Sequence, residues 1–158
     1  MKSNLDTKHT TLCYIEQNGA YLMMHRVKKQ NDINKEKWVG IGGKFEDGET
    51  PFECAVREIK EETGLTPLDL KYRGLVTFVS NLYGTEFMHL FTAKGYLGQL
   101  NKECEEGELV WVNKKDVSNL NIWEGDKIFF SLLETEPKFF YLKLVYDGDK
   151  LIEHTISY

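Results

Sequence analysis

The chain has 158 residues, 41 % of them hydrophobic, which suits a single globular domain over residues 1–158. A net charge of −5 and a pI of about 5.4 argue against non-specific binding to a nucleic-acid polymer or an anionic membrane. No apolar run approaches the roughly 20 residues of a membrane span. The N-terminus lacks an apolar signal core, and three cysteines without metal-ligand spacing suit a reducing, cytoplasmic setting.

Residues 1–9 are polar and expected to be flexible. Thr10 to Gln17 alternates around Leu12 and Tyr14 and predicts a strand. Asn18-Gly19 is the two-residue hairpin signal, and Tyr21 to Val27 returns as a second strand with Arg26 near its end. An arginine there is either a surface charge or a phosphate ligand. Lys28 to Lys37 is a polar loop long enough to fold over a pocket. The segment Trp38-Val39-Gly40-Ile41-Gly42-Gly43-Lys44 is either a tight bend or a place where backbone approaches a ligand.

Next comes a short helix between two glycine-bearing loops. Thr50 can cap it, Pro51 suits its first position and Glu53 completes a capping box, while Gly64 is a natural stop. Phe52, Ala55, Val56 and Ile59 mark the expected buried stripe. Glu58, Glu61 and Glu62 fall at i, i+3 and i+4 on one face, two of them in the last turn, where the helix dipole disfavours negative charge. They are either a solvated acidic face or ligands for a hard divalent cation that turns their repulsion into attraction.

The whole stretch reads Gly43-x5-Glu49-x7-Arg57-Glu58-Ile59-x-Glu61-Glu62-x-Gly64-Leu65. Such a coincidence is expected roughly once in 10⁹ windows at ordinary residue frequencies, far more windows than one chain offers. This is the Nudix box, and the chain resembles the Nudix hydrolase family.

Beyond the box, Pro67 helps end the helical region, and Leu70 to Val79 and Glu86 to Tyr96 predict paired strands joined by Asn81 to Gly84. His89 lies on the second of these as a packed strand residue, and His9, His25 and His154 have no ligand spacing. Gly98 to Gly107 is polar, with an acidic run of Glu103, Glu105, Glu106 and the adjoining Glu108, and Leu109 to Val112 predicts the next strand. Lys115 to Asn119 suits one helical turn. Asn121 to Asp126 then leads into a short amphipathic helix around Ile128, Phe129, Leu132 and Leu133. Lys138 to Tyr146 and Lys150 to Ser157 flank Asp147-Gly148, a type I′ turn signal, so a C-terminal β-hairpin is expected.

The resemblance implies an α/β/α sandwich around a mixed β-sheet and hydrolysis of a phosphoanhydride bond with Mg²⁺, for which Mn²⁺ is a candidate substitute. It assigns Glu58, Glu61 and Glu62 as metal ligands and candidate catalytic carboxylates. The Gly42 carbonyl joins the metal shell, with Glu106, or alternatively Glu105, as a further acid. Glu49 and Arg57 complete the catalytic set as a pair that holds the loop against the helix. Three features resemble the MutT-type branch that hydrolyses oxidised purine nucleoside triphosphates such as 8-oxo-dGTP: the segment from Lys37 to Lys44, Trp123-Glu124-Gly125-Asp126, and the closing hairpin. This implies substrate binding by Thr11, Arg26, Trp38, Lys44, Trp123 and Asp126, with Trp123 stacking on the base and Asp126 reading its edge.

Two departures stand out. Val39 occupies a position where some members of that branch carry Asn, and Gly125-Asp126 stands where some carry two acids. Asn31 or Asn34 could substitute for the missing amide. The reading is therefore a nucleoside triphosphate diphosphatase acting as a monomer or homodimer on a small nucleotide. The alternatives are a nucleotide sugar, dinucleoside polyphosphate or capped RNA end as substrate, or a non-catalytic nucleotide-sensing domain.

Overall fold

Both faces of the first strand are buried, and this decides the architecture. In a computed structural model that describes residues 7–101 and 104–158, β1 runs over Thr7–Gln17. Its alternate side chains divide: Tyr14 enters one hydrophobic core, and Cys13 and Ile15 enter another on the opposite face. A strand buried on both faces must be central, with a helix on each side. Of the segment expected to be flexible, residues 7–9 form the start of β1, and residues 1–6 lie outside the described residues. Thr7, Lys8 and His9 pair in parallel with Thr85, Glu86 and Phe87, so backbone pairing sets this strand end where side-chain alternation gives no signal.

The other strands are β2 (Ala20–His25), β3 (Trp38–Val39), β4 (Thr66–Pro67), β5 (Lys71–Ser80), β6 (Gly84–Lys94), β7 (Tyr96–Leu97), β8 (Glu108–Asn113), β9 (Phe140–Asp147) and β10 (Lys150–Ser157). The main mixed sheet has the order β10-β9-β5-β6-β1-β2-β3, with β8 also paired to β2. β4 and β7 form a separate small sheet, so Pro67 sits in a strand just past the helix. The β1–β6 and β5–β9 pairs are parallel; the other pairings of the sheet are antiparallel.

Asn18 and Gly19 both have positive φ, as a type I′ turn requires. The C-terminal hairpin differs from expectation. Asp147 pairs with Lys150, so Gly148 and Asp149 are the turn's central residues, and only Gly148 has positive φ. Glycine takes the first central position because that is where the turn needs it.

The helix α1 (Pro51–Thr63) has the full capping box between Thr50 and Glu53, and Gly64 closes it with φ 81°. Ala55 and Ile59 pack into the core that contains Cys13, Ile15, Leu22 and Met24. Phe52 departs from the expected stripe: in the helix's first turn it is 53 % exposed. The helix α2 (Asp126–Thr135) puts Phe129, Phe130 and Leu133 against Tyr14, Tyr21 and Met23 on the other face. A 3-10 helix at Lys114–Asn119 links β8 to the segment before α2. The result is an α/β/α sandwich around a mixed sheet, with a C-terminal strand hairpin.

Candidate active site

The end of α1 and the glycine-rich segment meet beside β1. Bridges Cys13↔Ile41 and Thr10↔Lys44 run this segment along the strand, and Thr11 N donates to the Gly43 carbonyl at 2.9 Å. A side chain at Gly42 would strike backbone, and one at Gly43 would displace the Glu58 carboxylate. A Cβ on Gly42 would lie 1.8 Å from the Thr11 carbonyl oxygen, and one on Gly43 would lie 2.6 Å from Oε1 of Glu58. The Glu58 carboxylate is thus laid directly on the glycine backbone. The Gly42 carbonyl has no hydrogen-bond partner among the described residues.

Arg57 ties the box together. Its Nε donates to Glu49 Oε2 at 2.6 Å and its Nη2 to Glu49 Oε1 at 2.9 Å, a bidentate pair. Nη2 also reaches the Lys44 carbonyl at 3.0 Å, and Nη1 reaches Glu58 Oε1 at 2.9 Å and Glu61 Oε2 at 3.1 Å. The guanidinium holds the Glu49 carboxyl down to about 2, and Glu46 N–H adds to this by donating to it.

The three acids of the helix do not share one environment. Glu61 is exposed and paired with Arg57. Glu58 and Glu62 turn inward: the Glu58 side chain is 14 % exposed, and Glu62 Oε2 is buried with no hydrogen-bond partner among the described residues. Burial raises the Glu62 pKa well above the carboxylate range, and the neighbouring Glu106 and Glu58 carboxylates raise it further, while Arg26 opposes them. Glu106 comes from the loop before β8, where its backbone carbonyl accepts from Lys28 N at 3.2 Å and its side chain pairs with Lys29 at 3.5 Å. Glu105 is exposed, and Glu103 lies outside the described residues.

Glu58, Glu62 and Glu106 thus crowd three carboxyl groups together, with the buried Glu62 Oε2 left without a hydrogen-bond partner among the described residues. Among the described residues no set of three His, Cys, Asp or Glu side chains would hold a metal ion unaided. The donors present, carboxylates and a free backbone carbonyl, are those of a hard cation that keeps waters and substrate oxygens in its shell. On this test the residues fit a divalent metal.

A cavity of about 160 Å³ opens beside this acidic end. Its wall includes Thr11, Arg26, Asn34, Val39, Trp123 and Asp126, together with Gly42 and Gly43. Trp123 is set edge-on against Phe78 and Tyr146, with ring centroids 5.3 and 5.2 Å away, and the Lys37 ammonium lies 4.8 Å from its ring centre. Asp126, the first residue of α2, is buried, and burial pushes its pKa up to about 8 against a smaller opposing pull from Lys37. Arg26 Nε donates to Asp32 Oδ2 at 2.6 Å, and Thr11 Oγ1 sits 3.4 Å from Cys54 Sγ.

Trp38 and Lys44 are placed apart from this wall. Trp38 stacks on His25 with centroids 4.4 Å apart. Lys44 is exposed and contributes its carbonyl to Arg57. Asn31 is exposed, whereas Asn34 lines the cavity. Sequence reasoning did not single out Asp32, which straps the loop to Arg26. The Asp32-x-Asn34 spacing was the available signal, since Asp32 Oδ1 accepts from Asn34 N at 2.9 Å. Tyr14, read only as a strand residue, also reaches the cavity wall.

A sandwich that carries a capped helix of inward-facing glutamates against a glycine-rich strand edge is the Nudix architecture. The NUDIX domain family model matches residues 7–133, and the chain belongs to the Nudix hydrolase family. It is 30 % identical over 153 residues to an oxidized purine nucleoside triphosphate hydrolase from Danio rerio, covering 96 % of this chain and 95 % of that protein. It is also 30 % identical over 123 residues to the uncharacterized Nudix hydrolase YvcI from Bacillus subtilis, covering 75 % and 74 %. Among solved structures, a MutT protein from Bacillus halodurans superposes with a TM-score of 0.83 at 27 % identity, covering 94 % of this chain and 97 % of its own. No helix among the described residues is long and apolar enough to cross a membrane.

Proposed function

We propose that this Nudix hydrolase cleaves nucleoside triphosphates to a nucleoside monophosphate and pyrophosphate with Mg²⁺, and that it prefers oxidised purine nucleotides such as 8-oxo-dGTP. The observation that carries the reading is one cavity with an indole and a buried carboxyl at its wall and the acidic helix end at its mouth: Trp123, Asp126 and the Gly42-Gly43 backbone under Glu58. The name of the Danio rerio relative agrees with it.

Glu58, Glu62 and the Gly42 carbonyl would hold the metal, with Glu106 beside them and Glu61 at the outer edge. A bound divalent cation neutralises phosphate charge and lowers the pKa of water. The chain's own residues supply the rest. Arg57 fixes Glu58 and the loop through Glu49, so the carboxylates are held in place before substrate arrives. Arg26 borders both the cavity and Glu62 and can donate to a phosphate oxygen. Trp123 offers a stacking surface for the base, worth roughly 1–3 kcal/mol for a stacked base. Asp126, protonated at neutral pH, can both donate to and accept from a base edge.

The test is a nucleotide panel assayed with Mg²⁺ for pyrophosphate release. A kcat/KM for 8-oxo-dGTP at least tenfold above that for dGTP and for an ADP-sugar is expected. Equal rates, or phosphate as the product, would refute the assignment.

A further inference from the structure

Val39 lines the cavity, and its side chain offers no polar atom. The loop between β2 and β3 brings an amide to the same wall. Asn34 is the sole carboxamide on the described cavity wall. Trp123 Nε1 lies 2.7 Å from it, and an indole N–H only donates, so the atom facing Trp123 must be Oδ1. This fixes the amide's sense and leaves both Nδ2 hydrogens for another acceptor. Among the described residues they have none.

The rest of Asn34 is anchored. Its N–H donates to Asp32 Oδ1 at 2.9 Å and its carbonyl accepts from Lys37 N at 2.8 Å. Asp32, whose side chain is 6 % exposed, accepts from Arg26 Nε at the end of β2. An amide held at both backbone ends and at its oxygen, with two unused donors at a cavity wall, is preorganised to meet a carbonyl oxygen.

The geometry points to Asn34 as the base-reading residue: its Nδ2 donates to the 6-carbonyl of a purine lying against Trp123, so the site selects 6-oxopurines over 6-aminopurines. This rests on the purine nucleotide reading above. A 6-amino group would bring donors against donors and leave both without partners, a mismatch that costs about 10- to 100-fold in affinity.

Asn34→Asp is the discriminating variant. It keeps an oxygen for Trp123 Nε1 and replaces the donors by an acceptor. Binding of 8-oxo-dGMP, dIMP and dAMP to the full chain is measured by calorimetry without added metal. All three ligands carry the same phosphate, so the added charge cancels in the ratio. Wild-type protein is expected to bind dIMP at least tenfold more tightly than dAMP, and N34D to lose 10- to 100-fold of that preference. A wild-type protein that binds dAMP as tightly as dIMP, or none of the three, overturns the assignment, even if the variant does not fold. An unchanged ratio in folded N34D overturns it too. The outcome is separable from the sanitising reading: 8-oxo-dGTP turned over no faster than dGTP sinks that reading and leaves the 6-oxo to 6-amino ratio to decide on Asn34.

Discussion

Replacing Asp126 by Asn is expected to make the protein more stable relative to wild type as pH rises. Asp126 is buried at the start of α2, and burial lifts its pKa from 3.8 to about 8. Lys37 pulls in the opposite direction, as does the helix N-terminus, which favours negative charge. The folded protein therefore binds a proton that the unfolded chain has released at any pH between about 4 and 8. With more protons bound in the folded state, stability falls as pH rises through this window. Below it both states are protonated and nothing is lost. The slope is about 1.4 kcal/mol per pH unit while only the unfolded state is ionised, which accumulates to something on the order of 3 kcal/mol between pH 5 and pH 8. Asn has nearly the same shape and does not titrate, so the difference in stability between D126N and wild type isolates this group.

The assay is urea unfolding followed by tryptophan fluorescence at half-unit steps from pH 5 to 9. The D126N advantage should climb with that slope and level off above about pH 8. A difference that stays flat across the range would show that Asp126 is ionised in the folded protein. The neutral acid at the cavity wall would then be wrong.

Three further outcomes follow from the box. Glu62→Gln should lower turnover by at least about 10³-fold, as loss of a group central to transition-state charge does, without lowering the unfolding midpoint, because the buried Oε2 has no partner to lose; a variant with wild-type turnover removes Glu62 from the mechanism. Gly43→Ala should fold normally, because the atom its Cβ meets is the movable end of Glu58. Displacing that carboxylate should cost roughly 10- to 100-fold in kcat, and wild-type kcat would show that the position of Glu58 is not critical. Arg57→Lys cannot reproduce the bidentate pair with Glu49 together with the bond to the Lys44 carbonyl; kcat should drop while KM for the nucleotide stays near wild type, and a KM change alone would assign Arg57 to binding.

The box and its capped helix were readable because every device in them is local. Thr50, Glu53 and Gly64 act within a few positions of one another, as do Asn18 and Gly19 in the first hairpin. What the sequence hid depends on distant partners. The strand start at Thr7 is held by β6, nearly eighty positions along the chain. The different environments of Glu61 and Glu62 are invisible on a helical wheel, which puts both near one face. They are decided by where the Glu106 loop and the glycine segment lie. Asn34 and Asn31 could not be told apart by composition, since the indole that orients Asn34 is 89 positions away. Trp38 and Trp123 likewise look equivalent as aromatics beside glycines. Only the packing sends one onto His25 and the other to the cavity wall.

On the proposed reading, the division of the core separates chemistry from recognition. Side chains of one parity on β1 face α1, which carries the glutamates, and those of the other parity face α2, whose first residue is Asp126. The two sides meet at the glycine segment beside β1, where Gly42 and Gly43 line the cavity and Gly43 packs under Glu58. The catalytic side is over-determined: Arg57 alone reaches Glu49, Glu58, Glu61 and the Lys44 carbonyl, so most changes there disturb several groups at once. On the recognition side, Asn34 sits on a loop held through Asp32 and the Trp123 indole. On the proposed reading, substitution of Asn34 itself can alter which base is accepted without moving an α1 carboxylate, because no hydrogen bond of Asn34 involves the α1 glutamates. In this chain Asn34 is therefore the position at which, on the proposed reading, base preference can change while the box stays intact.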